Sequence, residues 1–243
     1  MTDDFDAILG EFDDELDLTL YADAAELAEE VTVQILAAVE KGLKVKSQFH
    51  LVLTGGTLGV QISEALVNEC NADLDAFKGL HIWWSDERFV TADSVERNAF
   101  PWHGTVKNKN VMVHEVLASD VAQTLEEAVS DYELALENVD LDLNILGLGP
   151  DGHVASLFPG QTNVDDQRTI IAIKDSPKPP AERITFTMQM INRAQEVWIV
   201  AAGEGKAEAV TKIIEGDLSV PASYVRGSSH TRLIVDTEAF FSE

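Results

Sequence analysis

The chain has 243 residues, in which 17 Lys and Arg stand against 43 Asp and Glu, a formal net charge of −26. A surface this acidic repels polyanions, which excludes nucleic acid and anionic membranes as expected partners. Hydrophobic residues at 45% and charged residues at 25% describe a folded globular chain, and the single cysteine, Cys70, excludes an internal disulfide.

The first twenty residues hold eight acids (Asp3, Asp4, Asp6, Glu11, Asp13, Asp14, Glu15, Asp17) and no base, so residues 1–20 read as a solvated acidic arm ahead of one domain over 21–243. An acidic N-terminus lacks the basic region of a signal peptide, and no run approaches the roughly 18 apolar residues that span a bilayer; a cytoplasmic location is expected. From Asp23 the pattern is helical: Asp23 and Glu26 form a capping-box-like pair, Leu27, Val31, Ile35 and Ala38 share one face, and Gly42 follows the last turn.

Four apolar runs then end abruptly in polar or glycine-rich segments, each followed by a helix-like stretch. They are Phe49 to Leu53 before Thr54-Gly55-Gly56-Thr57, His81 to Trp84 before Ser85-Asp86-Glu87-Arg88, Leu141 to Leu146 before Gly147-Leu148-Gly149-Pro150-Asp151-Gly152-His153, and Val197 to Ala202 before Gly203-Glu204-Gly205-Lys206. Continuous apolar runs between helices predict buried parallel strands covered on both faces, in a three-layer α/β/α sandwich with a mostly parallel, Rossmann-like sheet. Further strands are expected at 169–173, 183–187 and 233–235, the first two separated by Ser176-Pro177-Lys178-Pro179-Pro180, which fits neither a helix nor the inside of a sheet. In parallel sheets the loops leaving the carboxyl ends of the strands build the ligand site, so the four polar segments are expected to converge.

Each segment has its own chemistry. Glycines at 55 and 56, between strand and helix, allow close backbone approach to an anion, and they equally suit a tight turn without ligand. Asp86, Glu87 and Arg88 form either a surface ion-pair cluster or, at a strand's carboxyl end, a ligand clamp. The 147–153 loop delivers His153 with Asp151 two residues away, a carboxylate placed to orient an imidazole for general-base work. Lys206, opening a helix, suits an anion, as do the seven basic residues gathered between Arg168 and Lys212, which include Lys174, Lys178 and Arg183. The other five histidines have no such company, and no zinc-ligand spacing is present.

Three strings, Ser-Asp-Glu-Arg-Phe-Val at 85–90, Gly-Leu-Gly-Pro-Asp-Gly-His-Val-Ala-Ser-Leu-Phe-Pro at 147–159 and Ser-Pro-Lys-Pro-Pro-Ala-Glu-Arg-Ile-Thr at 176–185, resemble the 6-phosphogluconolactonase family from about Asp23 to the C-terminus. Glucosamine-6-phosphate deaminase shares that fold and the Asp-Gly-His loop, but it carries Tyr where Arg88 stands. The chain departs from the family at Thr57-Leu58-Gly59, where relatives usually have Thr-Pro after the glycines. The resemblance implies hydrolysis of 6-phospho-D-glucono-1,5-lactone, the second step of the oxidative pentose phosphate pathway, without metal, nucleotide or other cofactor. It implies His153 as general base, Asp151 supporting it, Arg88 stabilising the oxyanion or gripping substrate, and Asp86 holding sugar hydroxyls. Gly55, Gly56, Thr57, Arg183 and Lys206 are implied to bind the 6-phosphate. A phosphosugar sensor without turnover is the alternative from a different class. Whether Lys174 and Lys178 touch the phosphosugar, and whether the chain is a monomer or a homodimer, stay open.

Overall fold

The computed structural model describes residues 16–161 and 166–241. Seven parallel strands form one sheet in the order β1 (Leu16–Tyr21), β10 (His230–Asp236), β9 (Glu196–Ala201), β6 (Leu143–Gly147), β2 (Phe49–Leu53), β3 (Leu80–Trp84), β5 (Val111–Val113). The three remaining strands, β4 (Asp86–Arg88), β7 (Ile170–Ile173) and β8 (Arg183–Phe186), make a small antiparallel sheet in the order β4-β8-β7.

Strand side chains alternate between two cores. Leu51, Leu53, Ile82, Ile145 and Ile234 pack with Leu27, Val31 and Ile35 of α1 (Ala24–Leu43) and with Ile62 and Leu66 of α2 (Gly56–Ala72). Val52, Trp83, Leu146, Ile199 and Val235 face the other layer, with Leu125, Ala128 and Tyr132 of α3 (Leu125–Ala135) and Val210 and Ile213 of α5 (Ala207–Ile214). Two short helices, α4 (Met188–Ile191) and α6 (Thr237–Phe240), complete the fold. Both faces of the strands are apolar because both are covered, which produces the continuous hydrophobic runs seen in the sequence. Asp23 caps α1 by accepting from the Ala25 and Glu26 N–H groups, and Glu26 reaches back to the Ala22 N–H at 2.7 Å. Among the described residues no helix is long and apolar enough to cross a membrane.

The boundary expected after residue 20 moves: residues 16–20, read as part of the arm, belong to β1 at the sheet edge, with Leu16, Leu18 and Leu20 packed against the core. Alternating leucines give that segment a half-buried face against the core, and this outweighs its acidity. Residues 1–15 of the expected arm lie outside the described residues.

Chain order runs outward from the middle of the sheet, β2 to β3 to β5 on one side and β6 to β9 to β10 on the other. The reversal falls between β2 and β6, and the crevice outside the carboxyl ends of strands at such a point is where α/β sheets bind ligands.

Near the amino ends of β2 and β3, where His114 also packs, three imidazoles sit together. His50 and His81 are cross-strand partners with ring centroids 4.6 Å apart, His81 Nδ1 lies 2.9 Å from His114 Nε2, and His114 stacks on Trp83 at 3.8 Å. Burial, followed by the mutual repulsion of the rings, holds His50 and His114 down to about 4. With the folded value below the unfolded one, the unfolded chain takes up protons first, so stability is lost as pH falls from about 6.5 toward 4. A urea midpoint followed over that range is expected to decline less steeply in His114→Phe, which keeps the stacking and removes the charge.

Candidate active site

The glycine loop after β2 opens α2. Gly56 has φ +77°, and a side chain at Gly55 would overlap the Asn98 amide, so both positions require glycine. No side chain caps α2, which leaves its first N–H groups directed at the crevice. Thr54 Oγ1 accepts from the Gly147 N–H at 3.2 Å, tying this loop to the one after β6.

That second loop is a tight turn in which Gly149 N–H donates to the His153 carbonyl at 2.8 Å and Gly152 N–H to the Gly149 carbonyl at 2.9 Å. A side chain at Gly149 would run into the His153 ring and Asp151, and Gly152 has φ +78° while packing on Val220. The glycines therefore press the backbone close enough for Asp151 Oδ1 to receive His153 Nδ1–H. With Nδ1 donating, Nε2 is the free acceptor. The ring is mostly buried, with 15% of its side chain exposed, and lies 4.7 Å from the Phe158 ring. Burial holds its pKa below the usual histidine range despite the opposing pull of Asp151. Asp151 is lowered in turn: the His153 hydrogen bond and the charges of His153 and Lys178 outweigh the desolvation that pushes it upward. His153 is thus neutral at neutral pH, with a carboxylate ready to support its protonated form.

Asp86 begins β4 and is buried. Its Oδ1 accepts from Asn98 Nδ2 at 3.0 Å, its Oδ2 accepts from Ser156 Oγ at 2.7 Å, and Arg183 Nη1 stands 4.0 Å away. Glu87 turns the other way and accepts from the N–H groups of Arg88, Asn98 and Ala99 at 2.8, 2.7 and 3.0 Å, so it shapes the loop that carries Asn98 and takes no place in the cleft. Arg88 donates through Nη1 to the Glu96 carbonyl and lines the cleft.

Gly55, Gly56, Thr57, Asp86, Arg88, His153, Arg183 and Lys206 line one cleft of about 280 Å³, and Asp151 contacts His153 from behind. The four polar segments converge as expected. Four cationic side chains (Arg88, Lys178, Arg183, Lys206) line it against one carboxylate, Asp86, in a chain of net charge −26. Burial lowers Lys206, which forms no ion pair among the described residues. Arg183, however, is 4% exposed and has every guanidinium nitrogen engaged within the protein: Nε donates to the Pro180 carbonyl at 3.2 Å, Nη2 to the Lys178 and Pro179 carbonyls at 3.0 and 3.1 Å, and Nη1 faces Ser156 at 3.4 Å. It holds the 176–180 strap as a wall of the cleft. Lys174 stands apart, paired with Glu126 at 2.6 Å, and Arg168 and Lys212 likewise pair with Asp166 and Glu208. Of the two lysines left open, Lys178 lines the cleft; Asn98 also lines it and Ser156 supports it, and while the string at 147–159 contains Ser156, no local pattern marks Asn98. Among the described residues no group of three or more His, Cys, Asp or Glu could hold a metal ion.

The fold and cleft define a three-layer α/β protein with a cationic crevice at its topological switch point and a carboxylate-supported imidazole beside it. The chain belongs to the glucosamine-6-phosphate isomerases/6-phosphogluconolactonase family, whose model matches residues 22–235. It is 34% identical over 241 residues to the 6-phosphogluconolactonase of Streptomyces coelicolor, covering 91% of this chain and 92% of that protein, and 33% identical over 239 residues to that of Mycobacterium tuberculosis, covering 91% and 96%. The crystal structure of 6-phosphogluconolactonase from Thermotoga maritima superposes with a TM-score of 0.77 at 27% identity, over 92% of this chain and all of that one.

Proposed function

We propose that the protein hydrolyses 6-phospho-D-glucono-1,5-lactone to 6-phospho-D-gluconate, with His153 as general base on water. The observation that carries this reading is the His153–Asp151 couple at the rim of a cleft lined by four cations and an uncapped helix N-terminus. The relatives named 6-phosphogluconolactonase support the substrate. Opening a lactone needs a proton removed from water, charge stabilised at the carbonyl oxygen, and a ring held in register. His153 Nε2 takes the proton from water as its oxygen attacks C1, and Asp151 stabilises the imidazolium. Arg88 supports the oxyanion, and the imidazolium returns the proton to the ring oxygen as the C1–O bond breaks. The N–H groups at Gly55, Gly56 and Thr57, together with Lys206, grip the 6-phosphate, while Arg183 and Asp86 keep the walls in place.

The profile of kcat/KM against pH tests this reading, since it reports the free enzyme's base. The lowered histidine predicts an acid limb whose midpoint lies below 6.5, as His153 becomes protonated. An acid limb with its midpoint above 6.5 contradicts the assignment.

A further inference from the structure

Lys178 is absorbed by none of the steps above, yet its position relative to the base is specific. Its Nζ lies 3.3 Å from His153 Nδ1 and 3.5 Å from Asp151 Oδ1, the oxygen that already receives the Nδ1 proton. Two donors therefore converge on one carboxylate oxygen, and the two nitrogens face each other without a bond between them. The Lys178 backbone is fixed, because Arg183 holds the carbonyls of Lys178, Pro179 and Pro180. Its side chain is 41% exposed and can swing on four methylenes. Lys206 lines the same cleft, and the Lys178 charge acts on its ammonium as a like charge.

We propose that Lys178 is a positioning residue that couples the phosphate end of the cleft to the base: in the free cleft it shares Asp151 with His153, and an anion seated at Lys206 draws it away, leaving the carboxylate to His153 alone. The consequence is a base that strengthens when a phosphorylated ligand is bound. A cation beside the imidazole opposes its protonation, and an undivided carboxylate favours it. The charged groups acting on His153 are Asp151 on its own loop, Lys178 on the strap and Asp86 at the start of β4; the Phe158 ring adjoining it is neutral. A dianion held between two ammonium groups relieves their repulsion, which supplies the pull on Lys178.

This rests on reading the cleft as a phosphosugar site, and the test is chosen to need no turnover. The His153 imidazole is titrated by NMR in the wild type, Lys178→Met and Lys178→Arg, each without ligand and with saturating inorganic phosphate. Without ligand, the Met variant is expected to titrate about one unit higher than the wild type, and the Arg variant close to it. Phosphate is expected to raise the wild type more than the Met variant, so that the two converge. Equal values for wild type and Met variant without ligand, or an equal phosphate shift in both, overturn the coupling. Convergence with no lactone hydrolysis by the wild type would sustain the coupling and reject the lactonase reading.

Discussion

His153→Ala is expected to lower kcat by roughly 10²-fold or more, the usual cost of losing a general base, while affinity for 6-phosphogluconate changes little. The separation follows from where the groups stand. The donors proposed to bind phosphate belong to the loops after β2 and β9, and the proposed base to the loop after β6, so removing the imidazole should leave the anion site assembled. The ring touches Phe158 and Asp151 at the rim of the cleft and is no part of the two cores, so the variant should fold. Steady-state kinetics with product inhibition measures both quantities at once; an unchanged kcat removes His153 from the mechanism.

The second large effect is expected at Lys206. Its ammonium is half-buried, forms no ion pair among the described residues, and stands at the end of the 3-10 turn after β9 that precedes α5. Gly203, with φ +90°, fixes that turn, and its N–H is held by Asp236 at 3.0 Å. A charge-assisted hydrogen bond lost here is worth about 1.5–3 kcal/mol, so Lys206→Met should reduce kcat/KM for the phosphorylated lactone by roughly 10- to 150-fold. Hydrolysis of unphosphorylated gluconolactone should be nearly unaffected. A proportional loss on both lactones assigns Lys206 to the framework and not to the phosphate.

Much of this arrangement was legible in the sequence, for identifiable reasons. Strands such as β2 and β9 are buried on both faces, so their hydrophobicity is continuous and their ends are sharp, and each functional loop begins at such an end. What escaped was structure whose signal is not local. The Asp86–Arg88 strand has no apolar pattern and exists through pairing with β8. Asn98, from a loop without regular structure, reaches Asp86 only through the fold, held there by Glu87, which explains why one acid of the Asp-Glu-Arg run serves the scaffold. The engagement of Arg183 with the strap depends in the same way on tertiary placement. Helix α3 did leave a signal, Thr124 capping the Glu127 N–H at 3.1 Å with Leu125, Ala128 and Tyr132 on one face, but its other positions are so polar that the periodicity is weak.

Lactone opening in this cleft is proposed to run through His153. This is tested most directly by the rate at which the purified protein consumes freshly generated 6-phosphogluconolactone, set against spontaneous hydrolysis in the same buffer and against His153→Ala. A large acceleration by the wild type and little by the variant are expected. A wild-type rate equal to the spontaneous one would contradict it.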